Sequence, residues 1–351
     1  MMPSTFKQDD VTLLLKDISG LIKPLPANVR EPLIQSGVHY SEMLPLEYAP
    51  TEKYIRAFET ALESYAAITA SAVERTAEAI ISDKGPDVVL VSLARAGIPI
   101  GILIKHRIEF CTGNQVPHYS ISIIRGKGID KNAVRYILSK HAGEAIQFVD
   151  GWTGKGAIQQ ELNASMEEFP GIDSRLAVLS DPANVTSLCG THKDFLIASS
   201  CLNSTVSGLI SRTVLRDDII GPSEFHGAAY YPELIKDDLT YHFIDKVESA
   251  FGVGNSLLAD CSQSSRSGIQ EVLSIAADFE ISDINLIKPG IGEATRVLLR
   301  RIPWKLLVHS KTDQAHLGHL YQLARERGVS VEEYPLINYK ACGIIREMAD
   351  S

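Results

Sequence analysis

Four apolar runs of strand length, each followed by a turn and a helix-like stretch, constrain this chain more than any other feature. They are "DVVLVSLA" (87–94), "HYSISII" (118–124), "AIQFVD" (145–150) and "RLAVLSD" (175–181). Between them lie "IGILIKHRI", "NAVRYILSKH" and "AIQQELNASMEEF", whose apolar residues recur at helical spacing. Strands that alternate with helices predict an α/β fold built on a parallel sheet. In such sheets ligands bind beyond the carboxyl ends of the strands. Here those ends carry "LARAGIP", "IIRGKG" and "VDGWTGKG".

The chain has 351 residues, more than one core usually organises, and it divides into three parts. Residues 1–85 read as a helical and loop region packing on the core. "EKYIRAFETALESYAAITASAVERTAEAIISDK" (52–84) is a long helix, and "REPLIQSGVHYSEMLPLEYAP" before it is a packed loop. Residues 86–264 hold the strand–helix alternation. A polar cluster, "DCSQSSRSGIQ" (260–270), reads as a linker to a small second α/β domain at 265–351.

The net charge of −9 excludes a protein that grips nucleic acid over its whole surface. Five cysteines (111, 189, 201, 261 and 342) form no C-x-x-C pair, which suits free thiols in a reducing compartment. No basic-then-apolar leader opens the chain and no apolar run reaches the ~18–20 residues of a membrane span. The expectation is a cytoplasmic protein with no membrane contact. Self-association into a homo-oligomer stays open.

"FVDGWTGKG" has the chemistry of a phosphate cradle. Glycines let backbone N–H groups approach an anion at a helix N-terminus. In that reading Asp150, Gly151, Trp152, Thr153, Gly154, Lys155 and Gly156 hold a ribose phosphate, with a hydroxyl from Thr153, a charge from Lys155 and the Asp150 carboxylate on sugar hydroxyls. A Walker A loop is excluded, because only two residues separate Gly151 from Gly154-Lys155.

An apolar strand, an acid and a Thr-Gly turn opening a helix resemble the phosphoribosyl-pyrophosphate loop of type I phosphoribosyltransferases. "VSLARAGIP" resembles their first loop and "SISIIRGKGIDKNAVRYI" their strand and mobile basic loop, in the family's order. "HYSEMLPLE", "DGWTGKGAI" and "SCLNSTVSGLISRTVL" resemble a bacterial family of tellurium-resistance (ter) stress operons, which joins a phosphoribosyltransferase-like domain to a C-terminal Pelota-type RNA-binding domain. Some members carry the name cysteine protease StiP. The resemblance implies a pentosyl transfer from phosphoribosyl pyrophosphate to a base, with Mg²⁺. It places pyrophosphate on Ala94, Arg95, Ala96 and Gly97, and assigns Asp150, Arg95, Arg125 and Lys127 to catalysis. One departure stands out: the family's second acid is missing, since Gly151 follows Asp150.

"GIGEATRVLLRRIPWKLLV" (290–308) resembles the Pelota fold, which implies RNA contacts from Glu293, Arg296 and Arg300, and "GVSVEEYPLINYKACGIIRE" its closing strand, loop and helix. Residues 265–351 carry 11 Lys and Arg against 11 Asp and Glu, so a strong sequence-independent grip on RNA is not expected. Two other classes stay open beside a transferase. One is a ligand- or RNA-binding protein with a degraded active site. The other is a cysteine hydrolase with Cys201 as nucleophile, His226 as base and Asn203 or Asp218 as orienter. No metal cluster is expected, since His226 and His242 are too far apart for a helical pair. The aromatics around them (Phe225, Tyr230, Tyr231, Tyr241 and Phe243) read as core packing.

Overall fold

A computed structural model of the chain describes residues 2–253 and 267–347. The first elements are two short strands, β1 (Thr12–Leu13) and β2 (Lys16–Asp17), then helices α1 (Ala27–Gln35) and α2 (Glu52–Lys84). Next come β3 (Val89–Ala94), α3 (Gly97–Thr112), β4 (His118–Ile124), β5 (Gly128–Ile129), α4 (Lys131–Leu138), β6 (Ile146–Trp152), α5 (Ala157–Met166), β7 (Leu176–Ser180) and β8 (Cys189–Thr191). β9 (Gly227–Ala228) and α6 (Thr240–Glu248) close this part. The C-terminal part holds α7 (Gly268–Asp278), β10 (Ile287–Pro289), α8 (Ile291–Arg300), β11 (Pro303–Val308), α9 (Gln314–Arg327), β12 (Ser330–Glu333) and β13 (Ala341–Ile345).

The fold is α/β with a parallel sheet. Its strands run β1-β4-β3-β6-β7-β8, all neighbours parallel, with β5 folded back antiparallel on β4. Two-residue periodicity assigns its faces. Val89, Val91, Leu93, Phe148 and Val178 point to the core under α4 and α5. Leu90, Val149, Ala177 and Leu179 point to the core under α2 and α3. α2 is about 50 Å long at the usual helical rise. Phe58, Leu62, Ala66, Ala70, Val73, Ala77 and Ile80 bury one stripe of it.

The C-terminal sheet runs β10-β13-β11-β12, with β10 and β11 antiparallel to β13 and β12 parallel to β11. Its helix α8 joins the main core through Ile291, Ala294 and Leu298, beside Leu196, Ile197 and Ala198. Two polar contacts lock this docking. The Asp194 carboxylate accepts the N–H of Ile291 at 3.0 and 3.1 Å and that of Lys340 at 2.9 Å. Tyr339 donates its hydroxyl to the Gly154 carbonyl at 2.6 Å. Among the described residues no helix is long and apolar enough to cross a membrane.

Three expectations need correction. Residues 30–35 belong to α1 rather than to a loop, and Pro32 is tolerated there in the middle of a short helix. Much of residues 1–50 is not helical, and β1 extends the main sheet beside β4. The chain's last apolar stretch is the central strand β13, not a helix, because Ala341–Ile345 is buried on both sides between β10 and β11. The linker assigned to 260–270 and Cys261 lie mostly or wholly outside the described residues.

Candidate functional site

The turn after β6 is built largely for internal contacts. Thr153 donates its N–H to Ser180 O at 3.0 Å and its hydroxyl to Asp181 at 2.5 Å, so neither faces a ligand. Gly151 donates its N–H to its neighbour Asp150 at 2.8 Å. Gly156 has φ +84°, and a Cβ there would meet Val185 at 2.8 Å. Lys155 reaches out of the turn to the Ile284 carbonyl in the C-terminal part. Asp150 lies against the start of α3, where a Cβ on Gly97 would meet Val149 O at 2.8 Å and the Asp150 carboxylate at 3.2 Å. Burial pushes the Asp150 carboxyl up to about 6, against the pull of the Gly151 N–H and Arg296.

The cations assigned to a leaving group are engaged elsewhere. Arg95 bonds Ile210 O at 2.7 Å and Glu47 at 2.9 Å. Arg125 donates to Asn285 at 2.9 Å, and Lys127 lies exposed, 4.0 Å from Glu42. The basic loop is a tight β4–β5 hairpin, pinned where Tyr40 takes the Arg125 N–H at 2.9 Å and Glu161 that of Gly126 at 2.6 Å. Mg²⁺ asks for several oxygens. The acid of this turn is Asp150 alone, and one of its two oxygens accepts the Gly151 N–H, so the turn by itself fits that ion poorly.

The residues assigned to RNA face inward. Arg296 stacks on Trp152 at 4.7 Å and pairs with Glu293 at 3.0 Å. Arg296 and Arg300 both reach the Ser200 carbonyl, at 3.4 and 3.5 Å. This part of α8 holds the C-terminal unit on the core. Along α8, Glu293, Arg296 and Arg300 are interleaved with the buried positions Gly292, Ala294, Thr295, Val297 and Leu299.

Cys201 and His226 do not form a dyad. Cys201 is buried completely, and burial pushes its thiol up to about 11. His226 Nδ1 pairs with Ser122 at 2.9 Å, and its backbone N–H donates to Asp130 at 2.6 Å. Asp218 is tied to Arg216 at 2.5 Å. The aromatic residues pack: Phe225 meets Tyr136 edge-on at 6.0 Å, and Phe243 is fully buried.

A different thiol has the expected partners. The parallel register pairs Ser180 of β7 with Thr191 of β8, and Asp181 N–H bonds Thr191 O at 2.8 Å. The residues that follow, Asp181 and His192, are therefore neighbours. A bend at His192 returns the ring over its own strand. Its Nε2 lies 3.6 Å from Cys189 Sγ. Its Nδ1 lies 3.0 Å from the Asp181 carbonyl and 3.3 Å from the Asp181 carboxylate. Thr153, the Val185 N–H at 2.9 Å and the Thr186 N–H at 3.0 Å hold that carboxylate in place. Hydrogen bonding to Asp181, then to Cys189, pushes the His192 imidazolium up to about 10. Cys189 is half-buried, unlike buried Cys201 and Cys342. The same three ligand atoms lie within 4.8 Å of one another, a spacing that also suits a metal ion, although three donors already occupy the Asp181 oxygens. Sequence reasoning missed this group. Its signal was an acid ending one strand and Cys-x-x-His ending the next.

Residues 4–248 match the family model described as "Tellurite-like stress resistance cysteine protease StiP". Residues 266–347 match the PELOTA RNA binding domain. A protein of Acinetobacter baylyi named "Cysteine protease StiP" is 36% identical over 98% of this chain and 94% of its own. Two structures of a hypoxanthine-guanine phosphoribosyltransferase from Bacillus anthracis, one with a HEPES molecule in the active site, are 18% and 16% identical. They cover 33% and 34% of this chain, and 66% and 70% of their own, with a TM-score of 0.25 in each case. The expected transfer of ribose phosphate is corrected accordingly: the family and the relative bear the name of a cysteine protease, not of a transferase.

Proposed function

The chain belongs to the StiP family, and from that premise we propose that it is a thiol-dependent hydrolase, with Cys189 as nucleophile, His192 as acid and base, and Asp181 as the group that orients the imidazole. The observation that carries the reading is the His192 ring, whose Nε2 and Nδ1 lie 3.6 and 4.0 Å from Cys189 Sγ and whose Nδ1 also meets Asp181. A protonated imidazole beside a thiol stabilises the thiolate, the form that attacks carbonyl carbon.

The reaction follows from those positions. Cys189 Sγ adds to an acyl carbon, and the C–N bond breaks as His192 passes its proton to the leaving amine. That step leaves a thioester. Water then adds to the thioester while His192 takes its proton, which releases the acid and restores Cys189. Asp181 keeps the ring facing the sulfur throughout and favours its charged form.

The test is a screen of fluorogenic peptide and ester substrates with purified protein. Turnover lost in Cys189→Ala, kept in Cys201→Ala and unchanged by EDTA supports the proposal. Turnover that survives Cys189→Ala overturns it, and turnover lost on chelation assigns the three groups to a metal instead.

A further inference from the structure

The turn after β6 sits between the thiol group and the C-terminal unit, and it is bonded to both. Toward the thiol group, the Thr153 hydroxyl donates to Asp181 at 2.5 Å and accepts the Ala183 N–H at 3.3 Å. Gly156 leaves no room for a Cβ beside Val185, whose N–H holds the other Asp181 oxygen at 2.9 Å. Toward the C-terminal unit, the Gly154 carbonyl accepts the Tyr339 hydroxyl at 2.6 Å, and Lys155 donates to the Ile284 carbonyl.

A second contact closes the circuit. The Ala183 carbonyl accepts the N–H of Gly268, the first residue of α7, at 2.9 Å. A Cβ on Gly268 would strike the Tyr339 hydroxyl and lie 2.7 Å from Ala183 Cα, so α7, Tyr339 and the Asp181 loop meet only over a glycine. Tyr339 itself is buried in the segment between β12 and β13. Glu271 of α7 fixes that segment, accepting the N–H groups of Ile337 and Asn338 at 3.0 and 2.9 Å. Gly154 and Ala183, the two residues that the C-terminal unit bonds here, are both immediate neighbours of Thr153, one along the chain and one through a hydrogen bond.

We propose that Thr153 and Tyr339 are positioning residues for the thiol site: docking of the C-terminal unit on the turn after β6 sets the direction of the Asp181 carboxylate, and through it the His192 ring beside Cys189. The proposal rests on the Cys189 reading and adds a regulator to it, the chain's own C-terminal unit. Thr153 and Asp181 are both buried. A buried carboxylate is held in one orientation by the donors it accepts, and losing one costs more there than in water. Lifting the C-terminal unit off the turn therefore slackens Thr153, frees the Asp181 carboxylate and lowers the thiolate content of Cys189.

The test is the pH profile of Cys189 alkylation by iodoacetamide in the full chain, with exposed Cys111 as the reference. Thr153→Val should slow Cys189 about tenfold at pH 6 to 7, the loss of one hydrogen bond to a charged group, and Thr153→Ser should restore it. Tyr339→Phe should slow it about threefold, the loss of a neutral bond, with Cys111 unmoved. Tyr54→Phe removes a docking bond to the Leu299 carbonyl that does not involve the turn, and should leave the profile as it is. Thermal melts check that each variant folds, and Thr153→Ala or Lys155→Met replaces one that does not. A profile unmoved by Thr153→Val or by Tyr339→Phe overturns the proposal, as does one moved equally by Tyr54→Phe. A wild-type Cys189 that already tracks Cys111 overturns the Cys189 reading instead, and this proposal with it.

Discussion

His192 Nε2 lies 3.6 Å from Cys189 Sγ, across a bend that brings two residues three positions apart onto each other. β7 and β8 end at the same register pair, Ser180 and Thr191, and the bend after Thr191 turns the His192 ring back to Cys189. The acid leaving one strand thereby meets the histidine leaving the next. Thr153, leaving β6, donates to the same Asp181 at 2.5 Å. Three successive strand ends thus assemble one hydrogen-bonded group.

Asp181→Asn should keep the fold and lose the orientation of the ring. The amide still accepts from backbone N–H groups, but it no longer favours an imidazolium. Turnover should fall on the order of 10²–10⁴ in kcat with a smaller change in KM. Steady-state kinetics on the substrate found in the screen checks this. An equal loss of kcat/KM arising from a rise in KM alone would count against an orienting role.

Gly190→Ala should damage both packing and activity. A Cβ at Gly190 would lie 2.5 Å from Ala72 O and 2.7 Å from Ala72 Cα in α2, backbone that has no room to move. The expected loss is about 2 kcal/mol, read from denaturant unfolding. Turnover should fall with it, because β8 carries Cys189.

His106 makes stability fall toward alkaline pH. Its Nε2 bonds Asp10 at 2.8 Å and its Nδ1 bonds Glu248, tying the N-terminal segment, α3 and α6 together. Hydrogen bonding to Asp10, then Glu248, raises its pKa to about 9. A raised histidine stabilises the fold fully below the unfolded value of about 6.5 and loses that contribution as pH rises through the folded value. The melting temperature should decline between about pH 6.5 and 9, and His106→Gln should flatten the decline. An unchanged slope in that variant would place the titration elsewhere.

The parallel sheet was legible because β3, β4, β6 and β7 are apolar runs bounded by turn residues, and α2 because its buried stripe repeats without Gly or Pro. β1 was not legible: two residues carry no periodicity, and pairing with β4 alone defines them. β13 was misread because a short apolar segment buried on both faces looks the same in either period. At the site, residue types were visible but direction was not. Thr153 and Arg95 have the chemistry to hold phosphate, yet tertiary hydrogen bonds use both internally. Cys201 is the candidate nucleophile in the sequence and Cys189 is not, since sequence does not report that the first is buried and the second lies beside an imidazole.

The rate of Cys189 alkylation by iodoacetamide as a function of pH, followed by peptide mass mapping, tests the central claim most directly. Exposed Cys111 serves as an internal reference and buried Cys201 as a blank. The account predicts that Cys189 reacts at pH 6 to 7 well ahead of Cys111, and that His192→Ala brings the two together. A Cys189 rate that tracks Cys111 across the whole pH range in the wild type would contradict it.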